Sequence, residues 1–329
     1  MEYPSDFSKD SRRNDRNKAK EQHFRSGKKH TRCHKDVVAE EKNCVELAEI
    51  SNLGYKNRLN FKDDTLNLIN GNGVSVFGTD YIKNTKYYPG NEKINYITHK
   101  KSEDESNGLD DDSVRFLEQD LINFIWDIPS EEIDKWVILN YPSPIKPAGG
   151  FDKDASIYEE SLAICTCLYR SLSEGKGKIM YQKNSQAVDE NEDECIFESD
   201  LIYSPNIPIF RDGDFDLIED WETNFNTISI ITIPAINHHK YCKTEDYTIE
   251  TYISIMKDRI HRILSVALMN GHTKIALGPW GCGLDGGPLD EIITLFCDDD
   301  LFQSFEEIVF ISNDEKTTAY MRAFYNKLF

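Results

Sequence analysis

The chain has no long apolar run. Its richest uncharged stretch, residues 227–236, falls well short of the roughly 18 apolar residues that a bilayer-crossing helix needs, so no membrane span is expected. The first 30 residues are charged throughout, and no secretory leader is expected there. Cysteine is sparse, with eight in 329 residues, at 33, 44, 165, 167, 195, 242, 282 and 297. Such scatter does not make a disulfide framework and predicts reduced thiols in an intracellular protein, cytoplasmic or nuclear. His30, Cys33 and His34 form one local knot of soft ligands, but no second pair stands at finger spacing, and no metal is expected. The P-loop pattern GxxxxGK[ST] is missing, GxGxxG does not follow the first strand, and no repeat of 20–50 residues is visible.

Positive charge is also in short supply. There are 38 Lys and Arg against 58 Asp and Glu, a formal net charge of −20. The shortage is uneven: residues 1–36 hold 11 basic and 6 acidic side chains, which leaves the remainder at net −25. The basic arm, with Arg12-Arg13 and Lys28-Lys29 and almost nothing apolar, cannot bury a core and is expected to be disordered, as a solubilising tail, a nuclear address or a contact for an anionic partner. An acidic body is a poor generic binder of DNA or RNA, so sequence-specific nucleic-acid binding is not expected. A phosphorylated ligand would have to be held by backbone amides and helix N-termini inside a pocket.

What is present is enough apolar material, 39% of residues with 11% aromatic, to bury a sizeable core. The pattern alternates. Asp112 or Ser113 is placed to cap a helix in which Leu117, Leu121 and Phe124 recur at helical spacing, until Pro129 stops it. Residues 136–139, Trp-Val-Ile-Leu, read as a strand buried on both faces. A helix is predicted from Ser156 through about Leu172, strands over 201–203 and 228–233, and a long helix over 252–269 that ends at Asn270-Gly271. A strand over 274–277, a helix over 289–296, a strand over 308–311 and a helix over 316–328 complete the series. Two acidic segments, 103–112 and 183–194, read as loops inserted in one domain. Buried strands alternating with amphipathic helices predict a three-layer α/β/α sandwich on a mixed, largely parallel sheet.

In such sheets ligands sit outside the carboxyl ends of the strands, which singles out two loops. One follows Leu139 and runs through Asn140, Gly149 and Gly150 to the Ser156 helix. The other, 278–288, has five glycines in eleven residues and includes Gly281, Cys282, Gly283 and Asp285. Glycine lets backbone amides turn toward an anion, so a diphosphate cradle and a plain strand-to-helix turn both fit these loops. Ser156-Ile-Tyr-Glu159 has the form of a capping box, which accounts for Glu159 but not for Glu160. Helix neighbours diverge by about 100°, so the two carboxylates cannot both face one atom. An acidic pair in a first turn also simply favours the helix dipole.

Residues 137–172 (VILNYPSPIKPAGGFDKDASIYEESLAICTCLYRSL) resemble the signature of the microbial-type poly(ADP-ribose) glycohydrolases, macrodomain-related enzymes with Asn-Phe-Ala, a triple-glycine loop and Gln-Glu-Glu. Seven residues separate Gly150 from Tyr158, inside the family's six to eight, and Glu159-Glu160 fall on its two glutamates. Residues 201–212 are similar to its Tyr-Ser-Pro strand and hairpin, with Asp212-Gly213 as the turn, and 276–296 to its Trp-Gly-Cys-Gly segment and following helix. The blocks occur in order across 37–329, which would form one glycohydrolase-like macrodomain with an N-terminal helical extension behind the 1–36 arm.

The resemblance implies hydrolysis of ribose-ribose O-glycosidic bonds in poly(ADP-ribose), or on ADP-ribosylated proteins, by a monomer without a cofactor or metal. By carry-over, Glu160 is the acid/base, and Glu159 and Asn140 orient the sugar. Gly149 and Gly150 line the sugar-diphosphate side, and Gly281, Cys282 and Gly283 supply amides to the diphosphate. Departures sit in the site itself. Ala148 stands for the first glycine and opposes a positive φ, and Lys146 stands for an asparagine. Tyr158 replaces a glutamine and offers a ring, and Asp285 replaces an aromatic that lies against the ligand. The alternative is a catalytically weak macrodomain-like reader that binds ADP-ribose or a related nucleotide without turning it over.

Overall fold

The apolar run at Trp136–Asn140 is buried along its whole length because it lies in the middle of a sheet with a core on each face. Val137 and Leu139 point into one core, Trp136 and Ile138 into the other. This strand, β3, shows why a continuous apolar stretch marks a strand covered on both sides. The computed structural model describes residues 61–94, 113–151, 157–191 and 194–329. The basic arm, the His30/Cys33/His34 knot, the 103–112 loop and Ser156 lie outside the described residues.

The described chain begins with a helix over 61–70 (α1), then α2 (Asn72–Phe77), α3 (Asp80–Lys83) and β1 (Lys86–Tyr88). β2 (Val114–Glu118) and α4 (Leu121–Asp127) precede β3. After it come α5 (Ile157–Cys165), α6 (Leu168–Ser173), α7 (Lys178–Glu190), β4 (Leu201–Ile209), β5 (Asn226–Thr232), α8 (His238–Tyr241) and α9 (Ile249–Met269). β6 (Lys274–Leu277), α10 (Leu289–Cys297), β7 (Glu307–Ser312) and α11 (Glu315–Leu328) close the chain. The sheet order is β1-β4-β5-β3-β6-β7-β2. β5, β3, β6, β7 and β2 run parallel, and β4 and β1 join antiparallel at one edge. The α/β sandwich on a mixed, largely parallel sheet is therefore as expected.

This topology positions the site. β5 and β6 flank β3 in parallel, so the loops that leave all three strands open at the same edge of the sheet.

Four local expectations change. Residues 114–118 are a strand, parallel to β7, rather than the start of a helix. Val114 and Phe116 are buried while Arg115 between them faces out, an alternation that the helical spacing of Leu117, Leu121 and Phe124 concealed. The helix that follows is capped by Asp120, whose Oδ1 accepts from the amide of Ile122 at 2.8 Å. The expected 156–172 helix is interrupted where Thr166 bridges Ile209 and the Cys167 amide donates to Pro208 O at 3.0 Å. Residues 183–190 belong to α7, whose inner side buries Met180, Tyr181 and Asn184. Their polarity marks the solvent face of a helix and not a loop. β5, β6, β7, α9, α10 and α11 fall within three residues of expectation, β4 runs six residues beyond the expected 201–203, α2, α3, β1 and α8 were not expected, and Gly271, with φ 86°, terminates α9 as read.

Candidate active site

β3 delivers Asn140 at its last residue, fully buried. Its Nδ2 lies 3.4 Å from Glu159 Oε1 and 3.3 Å from Thr232 Oγ1, both acceptors, which fixes the amide orientation. The Oδ1 atom is then left buried with no hydrogen-bond donor. A buried acceptor without a partner costs free energy, and a ligand hydroxyl would satisfy it.

Glu159 and Glu160 sit in the first turn of α5, essentially without solvent exposure. Glu159 Oε2 accepts from the Ser143 amide at 2.8 Å, and the Ala148 amide also bonds to this carboxylate. Its oxygens are thus turned to the β3-α5 loop and to Asn140; the capping box expected with Ser156 lies outside the described residues. The loop wraps the carboxylate closely. Ala148 and Gly149 have φ of 59° and 56°, and a Cβ on Gly149 would stand 2.7 Å from Glu159 Oε2. Gly149 is obligatory for that approach. Ala148 adopts the left-handed conformation that its methyl group opposes, so this departure is absorbed as backbone strain with the loop's course intact. Gly150 follows, half-buried, as Phe151 closes the turn onto Ala148 O at 3.0 Å.

Burial pushes the Glu159 carboxyl up to about 8; the bonds from Ser143 and Asn140 oppose the rise, and the charge of Glu160 adds to it.

Tyr158, immediately before the glutamates, donates its hydroxyl to Leu139 O at 3.1 Å and stacks on Tyr141, with ring centroids 3.9 Å apart and planes 7° from parallel. One face of its ring is therefore covered by Tyr141.

The second loop is folded on itself. Gly281 has φ 76°, Gly287 N donates to Gly281 O at 2.8 Å, and Gly286 N donates to Gly283 O at 3.0 Å. The Cys282 amide donates to Pro279 O at 3.1 Å, so it is engaged within the loop and is not presented to an anion. Burial raises the Cys282 thiol, as does the nearby Asp285 charge, and it stays neutral and unreactive. Gly283 is exposed, with open space where a Cβ would stand. Asp285 is half-buried; burial lifts its carboxyl to about 6, and the Arg259 guanidinium pulls it back. Arg259 itself is fully buried, donating to Pro234 O at 2.7 Å and Phe197 O at 2.6 Å.

The two predicted loops meet at a cavity of about 140 Å³ walled by Pro142 and Ile145, Val188 of α7, Asn237 and Lys240, and Asp285. Neither glutamate forms part of that wall. The connection is Ser143, flanked by the two lining prolines Pro142 and Pro144, whose amide holds Glu159. Several contributors were not singled out in the sequence. Thr232 ends β5 beside Asn140, and Asn184 Nδ2 and Ser185 Oγ of α7 brace the loop at Pro144 O and Ile145 O, at 2.8 and 3.2 Å. Only the alignment of strand ends could have pointed to Thr232, and nothing in an acidic segment marks Asn184. Among the described residues no group of three or more His, Cys, Asp or Glu is placed to hold a metal ion, and no helix is long and apolar enough to cross a membrane.

Residues 67–212 match the model of the microbial-type poly(ADP-ribose) glycohydrolase catalytic domain, a span that contains Asn140, the β3-α5 loop and both glutamates. The fold is shared with solved bacterial poly(ADP-ribose) glycohydrolases. That of Thermomonospora curvata is 22% identical, with a TM-score of 0.66 over 83% of this chain and 100% of that one. A second structure of the same protein, bound to the inhibitor ADP-HPD, gives 0.64 at the same identity and coverage. The Deinococcus radiodurans protein in complex with ADP-ribose is 23% identical, with a TM-score of 0.62 over 76% of this chain and 98% of that one. No curated protein matches.

Proposed function

We propose that this protein is a poly(ADP-ribose) glycohydrolase that cleaves ribose-ribose O-glycosidic bonds and releases ADP-ribose, with Glu160 as its acid/base. The observation that carries the reading is the buried carboxylate pair under the β3-α5 loop, set against an Asn140 oxygen that lacks a donor. The family match over the same residues and the shared fold support it.

The chemistry divides between the two glutamates. Glu159 is committed on both oxygens to Asn140 and Ser143, so it holds the loop and, with Asn140, the sugar. Its neighbour Glu160, which falls on the second glutamate of the family's motif, would give a proton to the departing ribose oxygen as the C1–O bond breaks, and then take one from the water that adds to the anomeric carbon. Positive charge develops on the sugar ring in that transition state, and a neighbouring carboxylate stabilises it. Asn140 Oδ1 would accept from a ribose hydroxyl. The acidic body repels a polyanion overall, so the diphosphate depends on local dipoles of the loop backbone. Cys165, Cys167, Cys195, Cys242, Cys282 and Cys297 are free thiols, which favours an intracellular setting.

Incubation of the protein with poly(ADP-ribose) and chromatography of the products tests the reading. Free ADP-ribose is expected. Tight binding of ADP-ribose by calorimetry with no product released would make the protein a reader.

A further inference from the structure

Two aromatic rings at the heart of the site have no assigned part in the chemistry. Tyr158 is the residue before Glu159, and Leu139 is the residue before Asn140. The hydrogen bond from Tyr158 Oη to Leu139 O, 3.1 Å, therefore ties the backbone that carries the glutamates to the backbone that carries the asparagine. The Tyr158 ring lies flat on Tyr141 at 3.9 Å and 7°. Tyr141 in turn fills the space beside Gly278, the first residue after β6, where an added Cβ would stand 2.0 Å from Tyr141 Oη and 2.5 Å from Ile311 O. Gly278 can bear no side chain while that ring is there. One stack thus spans three elements: the first turn of α5, the end of β3 and the root of the 278–288 loop.

We propose that Tyr158 is a positioning residue, which through its bond to Leu139 and its stack on Tyr141 and Gly278 holds the glutamate pair in register with Asn140 and the glycine loop. The proposal rests on the glycohydrolase reading and deepens it. Tyr158 then acts through Asn140 and Glu159, not on the ligand. The contact it governs is a long one, with Asn140 Nδ2 at 3.4 Å from Glu159 Oε1, close to the limit of a useful hydrogen bond. A few tenths of an ångström of slip between β3 and α5 breaks it. Misplacement on that scale is felt in the rate, because reacting groups must be held near their productive geometry, and an error of about 1 Å costs on the order of a hundredfold. The bond also acts on the proton. Donation by Asn140 opposes the upward push of burial on Glu159, so loosening it raises that carboxyl further.

The test is the Tyr158→Phe variant, which keeps the ring and removes the hydroxyl, with Tyr158→Leu removing both. For Tyr158→Phe we expect kcat on poly(ADP-ribose) to fall by about 5- to 20-fold, a part of the positioning term above, with KM and the Kd for ADP-ribose unchanged within about twofold. The pH at which Glu159 loses its proton in the fold, read from urea unfolding against pH, should move up in Tyr158→Phe, a shift that a plain loss of folded protein does not produce. Tyr158→Leu should lose more kcat than Tyr158→Phe. A Tyr158→Phe variant with wild-type kcat and wild-type unfolding against pH overturns the proposal, and so does a raised KM at unchanged kcat, which would make Tyr158 a ligand contact. Should Tyr158→Leu fail to fold, Tyr158→Phe alone decides. A wild-type protein that releases no ADP-ribose overturns the glycohydrolase reading, and this proposal with it, before any variant is compared.

Discussion

At the scale of single residues, the chain accepts a local cost at a few positions of the site. Ala148 holds a φ of 59° in a buried turn, a conformation that costs an L-residue with a Cβ about 1–2 kcal/mol. Part of any gain from glycine is offset by the freedom it adds to the unfolded chain, about 0.4–1 kcal/mol. Ala148→Gly should therefore stabilise the protein by up to about 1 kcal/mol in urea unfolding, with activity kept. A loss of stability would mean that the methyl group's packing outweighs the backbone strain. Asn140 is a different case, since its two ends do different work. Asn140→Asp puts a third carboxylate among two and turns the donor facing Glu159 into an acceptor. Expected is a fall in ADP-ribose affinity of more than about tenfold by calorimetry, since a buried unpaired polar group costs about 1–3 kcal/mol. Unchanged affinity would remove Asn140 from the sugar site.

At the scale of elements, the β3-α5 loop with the carboxylate beneath it forms one unit, and its titration is readable in stability. Glu159 has a carboxyl near 8 in the fold against about 4.5 in the open chain, so the folded state binds its proton more tightly. Its contribution is complete below about 4.5 and is lost as pH rises to about 8. Asp285 acts in the same sense but only up to about 6. Between pH 6 and 8 wild-type stability should therefore fall more steeply with pH than that of Glu159→Gln, measured by urea unfolding at each pH. Parallel curves in that window would show that Glu159 is ionised in the fold. Much of this unit was legible in the sequence. The strand at 136–140, the loop after it and the glutamate pair follow from an apolar run, glycine spacing and the family's motif. The braces were not, because Asn184, Ser185 and Thr232 reach the loop from elements distant in the chain. The mistaken helix at 112–129 has a physical cause as well: Phe116, Leu117, Leu121 and Phe124 straddle a strand and a helix, and their combined spacing imitates one helix.

At the scale of the whole molecule, the proposed polyanionic substrate would have to be approached by a chain of net charge −20 against its own field. Screening reduces that repulsion within a Debye length of about 10 Å at 0.1 M salt. kcat/KM for poly(ADP-ribose) should accordingly rise a few-fold between low and moderate salt, the reverse of a protein that binds phosphates by surface lysines. A steep fall with salt would instead indicate that a basic segment captures the polymer. The sheet's parallel strands explain how the site is nonetheless assembled, since β3, β5 and β6 end at one edge and bring Asn140, Thr232 and the 278–288 loop together. The claim on which all of this depends is that Glu160 moves the proton. The most direct measurement is kcat of Glu160→Gln on poly(ADP-ribose), with ADP-ribose binding followed by calorimetry on the same protein. Positioned acid/base groups supply about 10² to 10⁴ in rate, so the account predicts a loss of at least about a hundredfold in kcat with affinity largely kept. A variant that turns over at close to the wild-type rate would contradict it.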